Sequence, residues 1–174
     1  MKRNITEMST KPIDIDERGE RGRQNFLGGL NCTQSVVAAF SDLFPDDDPL
    51  TLLRMAASFG GGMGRLRLTC GAVTGLAMLA GLENGPTTGD MAARTRNYAL
   101  VQRLAEEFKR ESDSLICSEL LGLRTGAVEP PRPSERTTEY YKARPCPRLI
   151  ECACRIYARH LNEDNSPSLA DNQS

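Results

Sequence analysis

Tryptophan is absent from this chain, and histidine occurs once, at His160. Four tyrosines and five phenylalanines are the only aromatics, so leucine, alanine, valine, methionine and isoleucine must build most of the interior. No serine–histidine–acid grouping is evident, which leaves hydrolysis without support. A basic excess is lacking too: 22 Lys and Arg stand against 23 Asp and Glu, a net charge of -1. A general nucleic-acid binder carries a marked positive balance, so no nucleic-acid partner is expected. No apolar run reaches the roughly 18 residues of a membrane span, and no membrane insertion is expected. Residues 1–23 lack the apolar core of a secretory signal, which makes a cytoplasmic protein the expectation. Two cysteine patterns are missing as well, the CxxC redox pair and the CxxCH haem attachment site. Mean hydropathy is -0.42, that of a soluble chain long enough for one domain with a real core.

What the chain does have is six cysteines in 174 residues. In a reducing compartment such a number favours ligand or catalytic roles over permanent disulfides. Four of the six open predicted helices. Asn31 is a plausible N-cap before Cys32, and apolar residues at Val36, Val37, Phe40, Leu43 and Phe44 carry a helix over 32–44. Asp48-Pro49 starts the next one, which ends at the glycine run Gly60-Gly61-Gly62-Met63-Gly64. That run reads as a turn and not a phosphate loop, because it lacks a Lys-Ser/Thr ending and follows no strand.

A third helix over 69–82 is apolar on several sides, so it belongs at the centre of the bundle. Its Gly71 and Gly75 lie four apart on one face, where a second helix can approach closely. The longest helix is expected over 88–109, with Met91, Tyr98, Val101, Leu104, Ala105 and Phe108 facing inward. A short helix over 114–121, a proline-rich loop over 124–143 and a last helix over 145–161 complete the chain. No alternating run makes a strand. The expected fold class is all-α, an irregular helical bundle, with a flexible tail at 1–23, one helical domain at 24–161 and a second tail at 162–174.

A helix start favours a thiolate, because free N–H groups and the positive dipole end stabilise negative charge there. Cys70 is the sharpest case, with Arg65 and Arg67 just upstream, and is the expected most nucleophilic thiol. Cys146 stands between Pro145 and Pro147 with Arg144 and Arg148 alongside, so its sulfur is held at a stiff helix entrance. Cys32 and Cys117 open their helices in the same manner. Cys152 and Cys154 lie inside the last helix on different faces, and His160 reads as a polar residue near a helix end. Cys146 or Cys32 is expected to resolve the Cys70 thiolate.

These positions carry a resemblance. The stretch Gly29-Leu30-Asn31-Cys32-Thr33-Gln34, the glycine run leading to Cys70-Gly71-Ala72-Val73-Thr74-Gly75, the segment Cys117-Ser118-Glu119-Leu120-Leu121-Gly122, and Cys146 together resemble the C_GCAxxG_C_C family of redox-active proteins. The resemblance implies a redox or metal-associated role. Just before the motif the chain departs from the usual pattern, with Arg67 and Leu68 where a small and an acidic residue are common. Cys152 and Cys154 stand outside the family set.

Three readings remain open at this point. One is a thiol-based redox or electron-transfer protein using Cys70, Cys146, Cys32 and Cys117, served by a redox partner protein. A second has the same four cysteines, Cys32, Cys70, Cys117 and Cys146, ligating a metal ion or iron–sulfur cluster. The third is a structural or interaction protein with inert core thiols. A homo-oligomer is among the expected assemblies.

Overall fold

The computed structural model describes residues 12–124 and 129–164. Among them lie eight α-helices and no strand, so the fold is all-α. In chain order the helices are α1 (Ile15–Leu27), α2 (Cys32–Ala38), α3 (Pro49–Ala57), α4 (Gly71–Asn84), α5 (Met91–Ser112), α6 (Cys117–Leu120), α7 (Thr138–Lys142) and α8 (Cys146–Asp164). Short polar caps set most of the starts. Asp14, Asp48 and Asp90 each accept backbone N–H groups of the first turn, and Asn31 with Gln34 forms a full capping box.

Helix α4 is the central element, buried on several sides. Its glycines position α2. A Cβ at Gly71 would fall 2.8 Å from the Cys32 Cβ, and one at Gly75 would fall 2.7 Å from the Val36 Cβ. Only glycine allows the two helices to come so near. Helix α8 closes the core from the other side with Leu149, Ile150, Ala153, Ile156 and Tyr157. The Tyr157 ring meets Phe40 edge-on at 4.9 Å between centroids, a favourable aromatic geometry.

Five expectations are corrected here. The 1–23 tail is not a tail from Ile15 onward: α1 packs along α8, with Gly19 against Arg155 and Gly22 against Cys154. Its buried face is made of Arg18, Gly19, Gly22 and Phe26; Arg18 donates to the Ala39 carbonyl and grips Asp42 with both terminal nitrogens. The last helix likewise runs past residue 161 to Asp164. On α5, Met91 and Tyr98 are exposed at 67% and 59%, and Leu100 joins Leu104 and Phe108 inside instead. The expected helix over 32–44 stops at Ala38 and continues as a 3-10 turn at Ser41–Leu43. The proline-rich loop contains the short α7.

The two ends of the described bundle are tied together. The Asn162 side chain accepts from the Ile13 N–H at 2.8 Å and donates to the Ile13 carbonyl at 2.9 Å.

His160, expected as a polar residue near a helix end, is buried at 3% exposure. One ring nitrogen lies 3.0 Å from Glu83 and the other 2.7 Å from Arg103. The Tyr157 hydroxyl donates to the same Glu83 oxygen at 3.0 Å. This cluster cross-links α4, α5 and α8 at the end of the bundle away from the motif cysteines.

Candidate functional site

The backbone after α3 makes the site. Gly61, Gly62 and Gly64 have positive φ, and so do Met63, Arg65 and Arg67. Such a left-handed conformation costs a non-glycine residue on the order of 1–2 kcal/mol. The winding chain packs Gly62 against Cys117, where a Cβ would come within 2.8 Å of the Cys117 Cβ. It then enters a single antiparallel bridge between Thr69 and Ile116. The Cys70 N–H donates to the Leu115 carbonyl at 2.8 Å, and the Cys117 N–H to the Leu68 carbonyl at 2.6 Å. This bridge sets the starts of α4 and α6 side by side.

Cys32 reaches the same place through the close approach of α2 to α4, fixed by a hydrogen bond from Thr33 Oγ1 to the Gly71 carbonyl at 2.9 Å. Cys146 is delivered by the segment before α8. Arg136 stacks over Phe26 at 4.4 Å and donates to the carbonyls of Phe26 and Leu30. The Tyr141 hydroxyl donates to the Leu27 carbonyl. These ties hold residues 136–146 against the end of α1.

Four cysteines distant in sequence therefore share one lining. Cys32, Cys70, Cys117 and Cys146 surround an inner cavity of about 10 Å³ together with Leu149 and Ile150. An outer cleft of about 440 Å³ opens onto Cys32, Cys117 and Cys146, while Cys70 is not among its lining residues. All six cysteines of the chain are free thiols in the structure.

The electrostatics single out Cys146. Its pKa is lowered to about 7, first by the hydrogen bond it receives from the Cys32 thiol. Burial opposes this, and the charges of Arg144 and Arg67 add to it. Cys32, the donor, is pushed well above its ordinary value by that same bond and by burial. Of the two arginines flanking Cys146 in sequence, Arg144 acts on it, whereas Arg148 acts on Cys152.

The expectation that Cys70 is the most nucleophilic thiol is not what the geometry supports. Cys70 is the N-cap of α4, just outside the helix and not within its first turn as the sequence implied, and the Ala72 and Val73 N–H groups do favour its thiolate. Burial is the larger influence and pushes it up to about 12. A dipole end cannot offset removal from water when the residue is only 5% exposed. The upstream arginines turn elsewhere. Arg67 is buried and lies 3.9 Å from the Cys117 sulfur through Nη1, while its other nitrogens bind Glu129. Arg65 reaches the same Glu129 at 2.9 Å. The Glu129 carboxyl sits below its ordinary value because Arg67 outweighs the opposing effect of burial. Cys117 is raised by burial, with Arg67 pulling the other way.

Cys152 and Cys154 stand apart. The Cys152 thiol donates to Glu111 at 3.4 Å and is raised to about 12 by burial and that carboxylate. Cys154 is fully buried against Gly22, and burial raises it further still.

The metal reading fits less well. Among the described residues, no group of three or more His, Cys, Asp or Glu side chains is arranged to hold a metal ion. The four thiols share a lining without forming a ligand set around one point. No helix among the described residues is long and apolar enough to cross a membrane. Sequence reasoning missed Glu129, whose role depends on a contact across 62 residues with Arg67; no local pattern around Glu129 signals it.

Comparison with known proteins bears on the same residues. No curated protein and no solved structure matches the chain. A family model does, over residues 30–160, and its description is "Putative redox-active protein (C_GCAxxG_C_C)". That span takes in all four clustered cysteines and the arginines around them. The chain belongs to the C_GCAxxG_C_C redox-active family.

Proposed function

We propose that the protein carries out thiol–disulfide exchange, with Cys146 as attacking thiol and Cys32 as its resolving partner. The observation that supports this reading is that Cys32 and Cys146 line both the inner cavity and the open cleft, with Cys146 lowered to about 7, chiefly by Cys32. An attacking thiol works best when its pKa is near the ambient pH. The Cys146 thiolate attacks one sulfur of a disulfide, and the other sulfur leaves as a thiolate and takes up a proton. Cys32 then loses its proton and attacks the Cys146 sulfur. A Cys32–Cys146 disulfide forms, and the second half of the substrate leaves as a thiol. The substrate gains two electrons and two protons, and the protein gives up the same.

Cys70 lies outside the cleft lining and burial keeps it protonated, while Cys117 lines the cleft but is engaged by Arg67; Cys32, which acts on Cys146 directly, is therefore the favoured resolving thiol. A redox partner protein that reduces the pair again is the expected second participant.

Peptide mapping of the chain after oxidation by a small disulfide tests the reading. The Cys32–Cys146 peptide pair should appear first, and Cys32→Ser should trap a mixed disulfide on Cys146. If oxidation leaves both residues as thiols, or links only Cys152 and Cys154, the assignment is wrong.

A further inference from the structure

The outer cleft carries a second feature that the exchange chemistry does not use. Four arginines line it, Arg65, Arg67, Arg136 and Arg144, and no aspartate or glutamate is among its lining residues. Two of the four have an internal partner, since Arg65 and Arg67 share the Glu129 carboxylate. Arg136 spends its N–H groups on the carbonyls of Phe26 and Leu30, so its charge meets no carboxylate there. Arg144 is half-buried and stacked over the Tyr140 ring at 4.8 Å, and among the described residues it makes no ion pair.

A guanidinium stacked on a ring keeps its N–H edge free for the fork-shaped pairing that suits a carboxylate. The cleft is about 440 Å³, inside the range of small-molecule sites. Arg144 stands two residues before Cys146, at the point where a ligand must lie for its sulfur to be attacked.

We propose that the cleft selects a low-molecular-weight disulfide bearing carboxylates, and that Arg144 is the residue that determines this specificity. The inference rests on the exchange reading above. In the productive complex a substrate carboxylate pairs with Arg144, with Arg136 adding positive potential beside it. The substrate sulfur nearest Cys146 accepts the thiolate, its S–S bond breaks, and the departing thiolate leaves through the arginine-lined mouth. Glu129 pairs directly with Arg65 and Arg67 and feels the Arg144 charge only at longer range, which leaves the Arg144 fork to bind the incoming anion.

Three small disulfides of similar length but different charge test this: dithiodipropionate with two carboxylates, neutral hydroxyethyl disulfide, and cystamine with two ammonium groups. The rate of Cys146 modification is measured for each in the reduced, folded chain. Each rate is divided by that of the chain unfolded in urea, which cancels the reagents' own reactivity. The dianion should then exceed the neutral reagent by about tenfold, the weight of one charge-assisted hydrogen bond, and cystamine should be slowest. R144Q should bring the dianion-to-neutral ratio near one, whereas R94Q on the outer face of α5 should leave it unchanged. The ratio, unlike the rate, is insensitive to the change in Cys146 acidity that R144Q also causes.

A wild-type ratio near one, with the neutral reagent still joining Cys32 to Cys146, would overturn the anion inference and leave the exchange reading standing. A preference that survives R144Q intact refutes the role of Arg144. If none of the three reagents oxidises the pair, the exchange reading fails and the substrate inference fails with it.

Discussion

The pH dependence of Cys146 reactivity tests the site most directly. The Cys32 hydrogen bond and the nearby arginines lower its pKa from 9.0 to about 7. At pH 7 about half of such a thiol is ionised, against about 1% of an unshifted one, roughly a fiftyfold gain in thiolate. Nucleophilicity falls as acidity rises, with a slope of about 0.5, so two units of lowering cost about tenfold per thiolate. The net expectation is a rate about fivefold above that of an unshifted cysteine at pH 7, and about tenfold below it beyond pH 10. The two profiles should cross. The assay is modification by a neutral disulfide reagent from pH 5 to 11, followed at Cys146 by site-resolved mass spectrometry, with the unfolded chain as reference. Cys32→Ala removes the largest cause of the lowering, so the midpoint should move back toward 9. A folded, accessible Cys146 with a midpoint at 8.5 or above would refute the electrostatic argument, and so would a midpoint that ignores Cys32→Ala.

Further outcomes follow from the packing. Gly75→Leu should cost roughly 1–3 kcal/mol in a denaturant melt, since even its Cβ would meet Val36 at 2.7 Å; Gly75→Ala should destabilise as well, despite its better helix propensity. His160→Ala removes a buried hydrogen-bond partner of Glu83 and should cost about 1–3 kcal/mol in the same melt. Cys70 and Cys154 are both raised by burial, so folded and unfolded chains bind protons alike below pH 9 and the folded chain holds them longer above it. Stability should therefore fall as pH rises from 9 toward 12, by about 1.4 kcal/mol per pH unit for each such thiol. Cys154→Ala should make that decline shallower by one such increment, whatever it does to stability at pH 7.

Local chemistry made the helix starts legible. Asn31 before Cys32, the glycine run before Cys70 and the prolines around Cys146 are signals that lie within a few residues of what they specify. The Gly71–Gly75 contact was readable for the same reason, since a four-residue spacing fixes a helix face. Helix α1 was not, because its buried side is Arg18, Gly19, Gly22 and Phe26, a single apolar residue and no apolar stripe. Nor was the ranking of the thiols. A helix start raises thiolate content only where water or a donor replaces lost solvation, and the burial of Cys70 and the Cys32–Cys146 bond both arise from contacts distant in sequence. Glu129 and the Glu83–His160 pair were hidden on the same grounds: their partners lie 62 and 77 residues away.

The clasp between Ile13 and Asn162 has a topological consequence. One amide side chain brings residues 149 positions apart into register, which makes the bundle nearly a closed ring of chain. The bundle should then tolerate being opened elsewhere. A circular permutant joining Asp164 to Ile13 through a short glycine–serine linker, with new ends in the exposed Thr87–Asp90 turn before α5, keeps every helix whole. The clasp lies near the far end of α8 from Cys146, about 24 Å away at 1.5 Å per residue. Re-wiring the chain there leaves the thiols undisturbed.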